Sequence, residues 1–136
     1  MKLSEAIKLG SMTGPMLKGR LWDEEGGTGS CALGAAMKAV GQERNYYLNG
    51  LLKQFGWWWI EETRVSCPVC HTTTPLVDGI TYSNTVRNMI PHINNYHNVT
   101  REWIADWVAT IEPVEMEQQV ATTTANNQRE EVSVNG

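Results

Sequence analysis

The sequence predicts an α+β fold, mostly helical, in which one short β-hairpin and a following helix form a zinc-finger-like element. Three observations predict it. Apolar residues recur at helical spacing in three separate stretches, with turn residues between them. Asp78-Gly79 sits between two short apolar runs, the pattern of a tight hairpin. Finally, the pair Cys67/Cys70 is followed by the pair His92/His97, a donor set for one metal ion.

At 136 residues and 41% apolar composition the chain can bury one hydrophobic core. It is expected to form a single zinc-stabilised domain over residues 1–112, with a helical half at 1–60 and a zinc-knuckle half at 61–112. From Pro113 onward the composition turns to Glu, Gln, Thr, Asn and Ser without aromatic residues, which predicts a disordered tail over 113–136. The formal charge of −4 is uneven: that tail holds four of the 15 acids and one of the 11 bases. The remaining body is close to neutral. It neither supplies the broad basic surface that phosphate binding needs nor excludes a local patch of it. No apolar run is long enough to span a membrane, and the start, Met-Lys-Leu-Ser-Glu-Ala-Ile, lacks the apolar block of a secretion signal. A cytoplasmic location is expected.

Along the first half, Ser4 is placed to cap a short helix through Leu9, with Gly10 ending it. A glycine-rich loop follows, around a short strand at 20–22. Ser30 is then positioned to cap a helix over Cys31 to Val40, closed by Gly41. The glycines before this helix resemble a phosphate loop, but the Lys-Ser/Thr ending is missing and the dinucleotide spacing is not met. Ala32, Gly34, Ala35 and Ala36 instead predict close packing against a neighbouring helix, with Leu33, Met37 and Val40 on the buried stripe. Cys31, alone among small apolar residues, reads as a packing residue rather than a nucleophile.

Tyr47, Leu48, Leu51, Leu52 and Phe55 predict a helix over residues 43–55, ended by Gly56. Trp57, Trp58 and Trp59 follow. In an extended chain successive side chains alternate sides, so at least one of the three should lie near the surface, where it is a candidate partner-binding anchor. Residues 63–66 are expected to form a strand leading into the first cysteine pair.

In Cys67-Pro68-Val69-Cys70 the two thiols are spaced for a metal knuckle, and His92 and His97 supply two imidazoles. Zinc in structural sites prefers a closed tetrahedron of such ligands. Ile80-Thr81-Tyr82 returns as the second hairpin strand, and Val86, Met89, Ile90 and Ile93 predict a helix carrying His92. Pro91 should kink that helix or mark a new turn capped by Asn88. A five-residue step places His92 and His97 about 140° apart on an ideal helix, so the last turn must loosen for both to reach one ion. His71 is expected outside the ligand shell, because adjacency to Cys70 would strain the knuckle. Four protein ligands leave no open position for water or substrate, so no enzymatic activity is expected and the zinc is structural. Thr100 should cap a last helix from Arg101 to Glu112, with Ile104, Trp107, Val108 and Ile111 docking on the core of the first half. This stretch also has some character of a helix-turn-helix segment, but no second helix follows it, so packing is preferred.

The chain resembles a family of short bacterial and bacteriophage proteins. The resemblance rests on Leu3-Ser4-Glu5-Ala6-Ile7 with Leu9-Gly10, on Cys31-Ala32-Leu33-Gly34-Ala35-Ala36 and on the Cys67/Cys70 knuckle. It rests most specifically on His92-Ile93-Asn94-Asn95-Tyr96-His97 leading to Thr100-Arg101-Glu102 and Ile104-Ala105-Asp106-Trp107. Asn95, Trp103 and the Trp57 to Trp59 run depart from it but leave the ligand set intact. The resemblance implies a phage or mobile-element setting and carries no activity to this chain. Taken together, the expected function is a non-enzymatic interaction protein that binds a protein partner through Trp57, Trp58 and Trp59. The alternatives are a nucleic-acid-binding regulator using Arg64, Arg87 and Arg101, and a virion component.

Overall fold

The computed structural model describes residues 1–23, 27–44 and 48–114. Its elements are α1 (Leu3–Ser11), α2 (Ala32–Ala39), α3 (Leu48–Gln54), a 3-10 turn (Trp58–Glu61), β1 (Leu76–Val77), β2 (Ile80–Thr81), α4 (Val86–Tyr96) and α5 (Arg101–Ile111). The predicted class, α+β and mostly helical, is the one observed. The tail beyond residue 114 and the Tyr47 end of the expected 43–55 helix lie outside the described residues.

Helices α1 and α2 pack through their smallest residues. A Cβ added at Gly10 would fall 1.7 Å from the Ala35 carbonyl oxygen, so the two backbones touch there. This corrects the expectation that Gly10 ends the first helix: α1 runs on to Ser11, and Gly10 serves its packing instead. Ser4 is not the cap either. Lys2 takes the N-cap position with its N–H bonded to the Glu5 carboxylate at 3.3 Å, while the N–H and hydroxyl of Ser4 both donate to the Glu112 carboxylate just past α5. Ile7 is buried as expected, and Leu9 is exposed.

Cys31 replaces Ser30 as the cap of α2, its Sγ accepting the Gly34 N–H at 3.4 Å. Ser30 is occupied elsewhere. Its carbonyl accepts from Leu17 N and, with its hydroxyl, from the Arg101 guanidinium. With that carbonyl shared, the strand expected at 20–22 reduces to a single bridge between Trp22 and Ser30. Residues 63–66 also form no strand: Val65 exchanges bonds with the Asn84 carbonyl and side chain, leaving one bridge between Arg64 and Thr85.

The hairpin and the last two helices follow the sequence closely. Asp78 and Gly79 have φ of 51° and 79°, the two positive values that a tight two-residue turn demands, and Leu76 pairs with Thr81 across it. Helix α4 begins at Val86 with Thr85, not Asn88, as cap and runs through Pro91 to Tyr96. Proline there removes the N–H that would meet the Arg87 carbonyl, a single lost bond. Thr100 caps α5 through the Trp103 N–H at 3.0 Å. Side chains from both stretches meet in one core, with Leu3, Ile7, Trp22, Met37 and Ile60 joined by Met89, Ile90, Ile93, Ile104 and Val108.

Candidate metal centre

The knuckle is built by its backbone. Cys67 Sγ accepts the N–H groups of Val69 and Cys70 at 3.4 Å each, and the turn closes through Cys67 N to the Thr72 carbonyl and His71 N to the Cys67 carbonyl. His71 adopts φ 65° at the end of this turn, and its side chain is not one of the cluster's donors. The knuckle therefore presents both sulfurs to one side.

Helix α4 brings the imidazoles to the same place. His92 lies inside it, and its Nδ1 is 2.9 Å from the Leu76 carbonyl, which fixes the ring and leaves Nε2 with a lone pair. His97 falls just beyond the helix as its C-cap, in extended backbone with φ −122° and ψ 148°. The loosened end required by the five-residue step is thus realised by leaving the helix. The Nε2 atoms stand 3.3 Å apart, Cys67 Sγ lies 3.5 Å from His97 Nε2, and Cys70 Sγ lies 3.5 Å from His92 Nε2. All four donor atoms lie within 4.8 Å of one another, so Cys67, Cys70, His92 and His97 can hold a metal ion.

Burial grades the cluster: Cys67 is buried, and Cys70 is exposed. Burial accordingly raises the Cys67 thiol pKa, whereas the hydrogen bond with His92 lowers that of Cys70. Burial also lowers the pKa of His97. Desolvation thus favours the neutral form of His97, while the two thiols are shifted in opposite directions.

The tryptophan run divides. Trp57 and Trp59 are 2% and 5% exposed and belong to the core, Trp57 donating its indole N–H to the Met1 carbonyl; Trp58 is 53% exposed. A 3-10 turn, not an extended chain, produces this split, and it removes two of the three residues expected at a partner surface. Arg101 is likewise withdrawn from any phosphate role, buried with its guanidinium donating to the carbonyls of Ser11, Gly14 and Ser30. Arg64 donates to Asn84, and Arg87 pairs with Glu61.

Sequence reasoning missed what aligns α4. Buried Asn94 accepts the Ala32 N–H and donates to the Leu17 carbonyl, and Asn95 accepts the Gly19 N–H at 2.8 Å. Two adjacent asparagines in a helix, each a poor helix former with an amide to satisfy, were the available signal. No protein-family model, curated protein or solved structure matches the chain. Among the described residues, no helix is long and apolar enough to cross a membrane.

Proposed function

We propose that this chain is a small zinc-stabilised interaction protein without enzymatic activity, which binds a protein partner through the surface around Trp58. The convergence of the four donors carries the reading. Zn–S bonds of about 2.3 Å and Zn–N bonds of about 2.05 Å at tetrahedral angles give edges of about 3.3 Å between nitrogens and about 3.6 Å between sulfur and nitrogen. The corresponding separations here are 3.3 and 3.5 Å. With His92 Nδ1 engaged by the Leu76 carbonyl, His92 Nε2 is free to ligate, and His97 Nε2 stands beside it. Zinc accepts this mixed thiolate and imidazole set, and four protein ligands fill its tetrahedron, leaving no position for a substrate.

Trp58 supplies the interaction half of the reading, because a large exposed aromatic side chain on a rigid turn is a favourable anchor. The resemblance of the Leu3–Gly10, Cys31–Ala36 and His92–Trp107 segments supports a bacteriophage or mobile-element setting, with a bacterial protein as partner. The nucleic-acid alternative loses Arg101, whose donors are spent internally. Elemental analysis of the purified chain should find one zinc per chain, and Cys70→Ser should lower that content; absence of bound zinc refutes the metal. Trp58→Ala should retain zinc and melting temperature while losing capture of a bacterial partner. Equal capture by wild type and variant removes Trp58 from the surface.

A further inference from the structure

A cleft of about 390 Å³ opens between the loop after residue 18, the start of α2, the hairpin turn and α4. This volume falls within the range of small-molecule sites, about 300 to 1,000 Å³. Two other hollows are less suited. One near Met1 and Phe55 holds only about 70 Å³. In the other, of about 430 Å³, the Lys38 ammonium is already held by the carbonyls of Thr13 and Thr28.

The walls of the cleft are fixed without a ligand. Asn95 holds Gly19, and Asn94 holds both Leu17 and Ala32, so the loop and the α2 start are tied to α4. Leu21, Leu33 and Val77 give the cleft apolar lining. Arg87 also lines it but is ion-paired with Glu61. Arg20 and Asp78 are different: both line the cleft, both are exposed, and neither side chain has an ion-pair or hydrogen-bond partner among the described residues. One guanidinium and one carboxylate, paired neither with each other nor with another described residue, therefore border a common apolar surface.

We infer that this cleft binds a small zwitterion with an apolar body, its carboxylate at Arg20, its ammonium at Asp78 and its side chain against Leu21, Leu33 and Val77. Arg20 offers a planar fork matched to a carboxylate, and Asp78 offers acceptors only, matched to an ammonium. A free aromatic amino acid and a dipeptide with both ends free share this chemistry.

The test is an NMR titration of the isotope-labelled full chain with phenylalanine and, separately, with leucyl-phenylalanine. Saturable shifts confined to residues 19–21, 31–33, 77–79 and 95 are expected, and the tighter of the two probes identifies the source. N-acetylation or C-amidation of that probe should each weaken binding about tenfold, the worth of one charge-assisted hydrogen bond. Arg20→Ala should weaken the free probe about tenfold and abolish the further penalty of C-amidation. Asp78→Asn, which tolerates the left-handed backbone of the turn, should do the same for N-acetylation. The inference is overturned if neither probe gives saturable shifts, if the shifts fall outside the cleft, or if both variants bind as wild type does.

Discussion

The α1–α2 pair and the segment from 61 to 84 are held together in opposite ways. In the helix pair Leu3, Ala6, Ile7, Ala32, Ala35, Ala36 and Met37 are all buried, and the backbones meet at Gly10. Between 61 and 84 only Cys67 and Pro75 are buried, and each hairpin strand is two residues long. A two-stranded hairpin of that size has no independent stability in water. The first region derives its order from close packing; the second has Cys67 in the core, a few backbone bonds to 84–86 and, if the proposed ion is bound, the four donors.

Metal removal should separate the two regions most sharply. Structural zinc contributes on the order of 10 kcal/mol in small fingers, so a strong chelator should abolish amide hydrogen-exchange protection across 61–84 while α1 and α2 keep theirs. Equal loss in both regions would merge them into one cooperative unit. The reciprocal change is Gly10→Ala, whose methyl group would meet the Ala35 carbonyl. It should cost about 3 kcal/mol by denaturant unfolding while leaving the metal stoichiometry at its wild-type value.

Proton concentration should act on Cys31 and on His97 from opposite sides. Burial raises the Cys31 thiol above its usual 9.0, so the stability it contributes is full below pH 9.0 and is lost as pH rises through the window above it. Burial holds His97 below its usual 6.5, so its contribution is full above pH 6.5 and is lost as pH falls through the window beneath. Melting curves across pH with chelator present should show both limbs, and Cys31→Ala should weaken only the alkaline one, to which buried Cys67 also contributes. The smallest effect belongs to His71, which holds φ 65° at the knuckle. His71→Gly should raise stability by about 1 kcal/mol and leave the metal content intact.

The elements with strong local signals were legible in the sequence: the Thr100 cap, the Asp78-Gly79 turn, and the four donors, whose chemistry leaves few alternatives. Gly10 and Ser30 were misread because both look like helix punctuation, yet each is claimed by a partner distant in the chain, Ala35 and Arg101 respectively. The tryptophans came out as alternation predicts, with Trp58 outside and Trp57 and Trp59 inside, although a 3-10 turn rather than an extended chain sets them there. The cleft had no sequence signature, since Asn95 ties the Gly19-Arg20 loop to α4 and Tyr96 holds the Asp78-Gly79 turn through the Gly79 N–H.

His97 marks the corner where α4 ends and the chain turns into α5. With a cation in place, the bond from Cys67 to His97 through the metal is a cross-link between residues 30 apart in sequence. Closing a loop of that size removes roughly 3.5 kcal/mol of freedom from the unfolded chain, by the relation used for disulfides. It also fixes the elbow from which α5 reaches back to α1. The ion would then act as a rivet, setting the angle at which the last helix closes over the first.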